Sequence, residues 1–174
     1  MTIRKILTEP NKTLREKSIP VDKVDAEIQK LMDDMLETMY AAPGIGLAAI
    51  QVGVAKRIIV LDIAPKDSPR NPMHFINPEI VVKSENHSTY EEGCLSVPGQ
   101  FAEIDRPDKC HIKYLDYHGQ PKEIKAEGML ATCIQHEIDH LEGILFIDYL
   151  SKLKKSMIVK KLSKQKRAIE RIVV

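Results

Sequence analysis

Cysteine is scarce in this chain: three in 174 residues, an odd number with no secretory framework, which favours a reducing compartment over a disulfide-stapled fold. No apolar run follows Met1, because Arg4 and Lys5 come at once and Glu9-Pro10 soon after. Nothing approaches the roughly 18 consecutive apolar residues of a membrane span, so neither a signal peptide nor a membrane segment is expected. Net charge is nearly absent too, at +1 with 29% charged residues, and gives no global pull toward a polyanion. There is no internal repeat and no low-complexity linker. With 43% hydrophobic residues, these absences predict one domain over residues 1–174, with a sizeable core and a cytoplasmic location.

The charge is unevenly spread. Residues 151–174 hold nine Lys or Arg against Glu170 alone, while the remainder holds 17 bases against 24 acids. A basic C-terminal stretch on an acidic body points to an anionic partner for the tail. Leu153, Met157, Ile158 and Leu162 recur at helical spacing there, predicting a basic helix at about 151–172.

Ile28, Leu31, Met32, Met35, Leu36 and Met39 give Asp25–Tyr40 the pattern of an amphipathic helix, ended by Pro43-Gly44. Arg57–Ile63 reads as a buried strand and 65–72 as an exposed loop. Phe75–Lys83 and Thr89–Val97 read as further strands. Lys109–Tyr117 turns at His118-Gly119 into Lys122–Ala126, a hairpin. A second long helix is expected from Gly128 to about Glu142, with Gly143 as its C-cap. Strands grouped around one central helix, with helices at either end, make the expected class α+β, its sheets antiparallel or mixed.

The central helix carries His136-Glu137-Ile138-Asp139-His140, an HExxH pattern. Histidines four apart on a helix lie about 40° apart around its axis, so both imidazoles can hold one ion. Glu137 is angled differently and can reach a water at that centre as general base and acid. Asp139 could orient a ligand or lie on the surface. One protease subgroup extends the motif to a third histidine, but Phe146 stands there and cannot coordinate. A better third donor is Cys94, in Glu92-Gly93-Cys94-Leu95-Ser96. With two imidazoles its thiolate makes an open, catalytic-type tetrahedron. Cys110 and Cys133 read as buried apolar residues. At this level a small zinc peptidase and a non-enzymatic Cys/His metal module both remain open.

Those two phrases join a third, Gly44-Ile45-Gly46-Leu47-Ala48-Ala49-Ile50-Gln51. In this order and spacing the three resemble the signature motifs of peptide deformylases, enzymes that remove the formyl group from new bacterial proteins. The resemblance covers Ile6 to about Leu153. It implies Cys94, His136 and His140 as metal ligands and Glu137 as the proton carrier. Gln51 and the Leu95 backbone N–H would stabilise the oxyanion. Fe²⁺ is implied as the native metal, with Zn²⁺, Ni²⁺ or Co²⁺ as possible substitutes. The implied substrates are N-formylmethionyl nascent peptides, bound by Gly44, Ile45, Gly46, Tyr90, Glu92, Met129 and Cys133. Glu92 also matches a carboxylate that, with Arg106, steadies the cysteine motif. Phe101 stands where some members carry an arginine near the peptide path. Some bacterial members end in a helix that contacts the ribosome near the nascent-chain exit, which gives the basic tail a candidate partner.

Overall fold

The computed structural model describes residues 1–172. Its first helix, α1, spans Ala26–Ala41 and is capped by Asp25, whose side chain accepts the Ile28 N–H at 3.0 Å, satisfying one donor that the first turn leaves free. Seven strands follow: β1 Gly46–Ala48, β2 Ile58–Leu61, β3 Met73–Lys83, β4 His87–Cys94, β5 Val97–Pro107, β6 Lys109–Leu115 and β7 Pro121–Glu127. The helices α2, Gly128–Leu141, and α3, Lys152–Ile172, complete the chain. Five strands form one antiparallel sheet in the order β1-β2-β3-β6-β7, and β4 and β5 form a separate antiparallel hairpin. The class is therefore α+β.

Strand alternation explains how this sheet serves two helices. Ile59 and Leu61 of β2 pack with Phe75, Ile112 and the α2 residues Ala131, Ile134, Ile138 and Leu141. Ile58 and Val60 turn to the other face, onto Ile28, Met32, Met35 and Met39 of α1. All four β2 side chains are fully buried, each contributing about 1.5–3 kcal/mol of apolar burial. That is why the strand reads as an unbroken apolar run rather than an alternating one. A third cluster joins Val97 and Ile104 of β5 to Phe146, Ile147 and Leu162, so α3 leans on the hairpin.

α2 lies between the sheet and the hairpin, and Ala131–Ile138 is buried without interruption. Its end is fixed by Gly143, at φ +75°, where an added Cβ would stand 2.4 Å from the Arg15 carbonyl oxygen. Only glycine fits both constraints.

Three expectations need correction. Thr89–Val97 is not one strand: β4 stops at Cys94, the chain reverses at Leu95-Ser96, and Val97 opens β5. β5 has no counterpart among the expected strands; its Pro98 stands only one residue into it, where a missing N–H is tolerated. The glycine-bearing phrase at 44–51, expected as the loop that follows Pro43-Gly44, contains a short strand, β1, at the edge of the five-stranded sheet. The strand expected to reach Tyr117 ends at Leu115, because Asp116 closes the turn by accepting the His118 and Gln120 N–H groups. Residues 173–174 of the predicted 1–174 domain lie outside the described residues.

Candidate metal centre and cleft

Two elements supply the donors. α2 presents His136 and His140 one turn apart, their ring centroids separated by 5.1 Å. β4 supplies Cys94 at its last position, where the register with β5 slips between Gly93 and Cys94. Three extra residues, 98–100, stand on the β5 side of this slip, so Cys94 does not continue the regular ladder of β4. One donor atom from each of Cys94, His136 and His140 lies within 4.8 Å of the others, and Cys94 Sγ is 3.3 Å from His140 Nε2. One thiolate and two imidazoles suit a transition metal or zinc, with a fourth position left for water or substrate. His140 is wholly buried, and burial followed by the neighbouring His136 holds its pKa well below the ordinary value.

Behind the donors runs a buried ionic chain. His136 Nδ1 meets Glu92 Oε1 at 2.8 Å, which turns Nε2 toward the centre. Arg106 donates twice to Glu92, at 2.7 and 3.0 Å, and once to Asp139, at 2.8 Å. The Tyr149 hydroxyl also donates to Asp139, at 2.7 Å. Glu92 and Arg106 are both nearly sealed from solvent. Glu92, expected among substrate-binding residues, lines the cleft, but both its oxygens are already engaged. Its contacts are with a donor histidine and an arginine. Asp139 and Tyr149 belong to the same chain. The sequence left Asp139 between a supporting and a surface role, and gave no sign of Tyr149.

A cleft of about 630 Å³ opens in front of the donors. Gly44, Ile45, Gly46, Gln51, Tyr90, Glu92, Leu95, Met129, Cys133 and Glu137 all border it, so the fold brings the expected substrate-side residues together. Ile45 and Met129 are about half exposed, giving the cleft an apolar mouth. Gln51 is held at both ends of its amide: Oε1 accepts the Ala48 N–H at 2.9 Å, and Nε2 donates to Ser96 Oγ at 3.0 Å, 3.5 Å from Cys94 Sγ. Ser96 was legible only as the end of the cysteine phrase.

Glu137 is buried beside the donors, and its Oε2 has no hydrogen-bond partner among the described residues. Burial, reinforced by Glu92 and Asp139 against the opposing His136 and Arg106, pushes its carboxyl up to about 7. A carboxyl poised there can take and return a proton near neutrality. Gly46 lies against it: an added Cβ would stand 2.5 Å from Glu137 Oε1. Cys133 is held protonated by its apolar surroundings, its thiol pushed up to about 12.

The sequence model of the Polypeptide deformylase family matches residues 3–156. A peptide deformylase of Pelagibacter ubique is 64% identical over 174 residues, all of both chains. One from Maricaulis maris is 58% identical over 171 residues, 98% of each. The crystal structure of Ehrlichia chaffeensis peptide deformylase in complex with actinonin superposes with a TM-score of 0.92 at 48% identity, covering 96% of this chain and 99% of that one.

Proposed function

Because the chain belongs to the polypeptide deformylase family, metal-dependent hydrolases that remove the N-formyl group from nascent peptides, we propose a role for each residue of the cleft in that reaction. The observation that carries the assignment is the convergence of three donor atoms within 4.8 Å beside a buried carboxyl with an unsatisfied oxygen. Cys94, His136 and His140 hold the ion, which we take to be Fe²⁺, with Zn²⁺, Ni²⁺ or Co²⁺ as substitutes. Bound there, it supplies Lewis-acid polarisation and makes water more acidic.

The protein's own groups do the rest. Glu137 accepts the proton of the attacking water as its oxygen adds to the formyl carbon. Gln51 Nε2 and the Leu95 N–H donate to the formyl oxygen as it gains charge. Glu137 then returns the proton to the amine nitrogen as the carbon–nitrogen bond breaks, leaving formate and a free methionyl terminus. Ile45, Tyr90, Met129 and Cys133 enclose the methionine side chain, and Gly44 and Gly46 let the peptide backbone approach. The whole chain acts as one catalytic domain in the cytoplasm, and no described helix is long and apolar enough to cross a membrane. Glu137→Ala should keep its metal while formate release from formyl-Met-Ala-Ser disappears. Near-normal turnover by that variant would remove Glu137 from the reaction.

The tail has a separate role in this proposal. The outer half of α3 carries Lys164, Lys166, Arg167 and Arg171 with exposed Ile169, a charge density that packing does not require. An RNA-rich surface such as the ribosome would relieve the repulsion through counterion release. Truncation after Leu162 should weaken co-sedimentation with ribosomes in a salt-dependent way and leave peptide hydrolysis unchanged. Unchanged, salt-insensitive ribosome binding would exclude the tail.

A further inference from the structure

The catalytic cleft does not end at its rim. A second groove, about 690 Å³ in volume, begins where the cleft stops, and Gln100 and Phe101 border both. One wall is β5 and the other is the first half of α3. Its apolar floor includes Leu150, Met157 and Ile158, and Lys154 and Lys161 edge it. Phe101 and Met157 are 65% and 62% exposed, so two large apolar side chains are left uncovered beside the path that leads out of the active site.

The two walls match in length. From Gln100 to Glu103 the strand advances three residues, roughly 10 Å at 3.3 Å each. From Lys154 to Lys161 the helix advances seven residues, roughly 10 Å at 1.5 Å each. Lys154, Met157, Ile158 and Lys161 also follow the i, i+3, i+4, i+7 spacing of a single helix face. A groove of that length takes about three residues of extended peptide. The α3 lysine engaged with the body is Lys155, with Asp148 at 2.7 Å, which leaves Lys154 and Lys161 unpaired among the described residues. Glu103 on the opposite wall offsets one of those charges, so the groove keeps a net positive charge.

We propose that this groove continues the substrate path, receiving about three residues of the formylated chain downstream of those held in the cleft, and that it favours acidic ones. The proposal rests on the deformylase reading, since it needs a peptide whose N-terminus lies at the metal centre. Continuity at Phe101 and the two unpaired lysines single out the substrate itself as occupant. The denser charge of the outer helix lies beyond the groove.

The test uses the metal-loaded full chain and formyl-Met-Ala-Ser, alone or extended to eight residues, with an Asp pair or a Lys pair moved through positions four to seven. At one or more positions the Asp peptide should show a kcat/KM about fivefold above its Lys counterpart, on the scale of two exposed ion pairs, and high salt should erase the difference. The Lys154→Glu/Lys161→Glu double variant should reverse the preference and hydrolyse the tripeptide within twofold of wild type. Equal kcat/KM for Asp and Lys peptides at every position would overturn the proposal, as would a preference that survives in the double variant. Failure of the wild type to deformylate even the tripeptide would instead overturn the deformylase reading.

Discussion

Gly46→Ala isolates the catalytic carboxyl from the metal, because Gly46 touches Glu137 and Leu61 and is itself no ligand. An added Cβ would stand 2.5 Å from Glu137 Oε1 and 2.7 Å from Leu61 Cδ2, where ordinary contact begins at about 3.4 Å. Both contacts must be relieved, by about 0.9 Å at Glu137 and about 0.7 Å at Leu61. Leu61 is fully buried in the sheet core, whereas Glu137 borders the cleft and has room to move. The backbone itself raises no objection, since Gly46 is not among the positive-φ glycines. Overpacking of this kind costs the fold about 1–3 kcal/mol. For catalysis, a misplacement of about 1 Å is worth roughly 100-fold, or about 2.7 kcal/mol in the barrier. The expected result is a kcat near 1% of wild type; KM should rise as well, because Gly46 also borders the cleft where the peptide backbone approaches. Metal content, measured on the same preparation, should stay near one ion per chain. A folded, metal-loaded Gly46→Ala protein with kcat within threefold of wild type would refute the reasoning, because the carboxyl would then not depend on the space a glycine leaves.

Two further outcomes follow from the buried charges. Arg106→Ala strands the Glu92 and Asp139 carboxylates, and breaking such a buried network should cost about 3–5 kcal/mol in denaturant unfolding; it should also weaken metal affinity tenfold or more, because Glu92, the partner of His136, loses the arginine that holds it in place, and a stability loss below 1 kcal/mol would show that the network is not coupled. Glu137→Gln tests the raised carboxyl in metal-free protein. The folded pKa of about 7 lies above the ordinary 4.5, so the unfolded chain ionises first and the wild type loses stability as pH rises from about 4.5 to 7. The variant lacks that loss, and its advantage should therefore grow across this window to about 3 kcal/mol and then level off; a difference independent of pH would contradict burial as the cause.

How much of this was legible without a structure depends on how local the cause was. The HExxH pair could be read because four residues on a helix define a geometry by themselves, and α2 carries His136 and His140 accordingly. The periodicity of α1 and the apolar run of β2 are local in the same way. The family resemblance likewise rested on short contiguous phrases in a fixed order. What sequence missed was set by distant partners. Nothing near Tyr149 announces that its hydroxyl meets Asp139, and nothing in Val97-Pro98-Gly99 announces a strand, because β5 exists through its pairing with β4. The need for glycine at position 46 comes from Glu137, 91 residues away in the chain. The raised pKa of that carboxyl comes from burial, which no spacing encodes. Sequence determined which groups could take part. Packing between α2, the sheet and the hairpin decided their distances, and those distances govern the energies of buried charge and catalytic alignment.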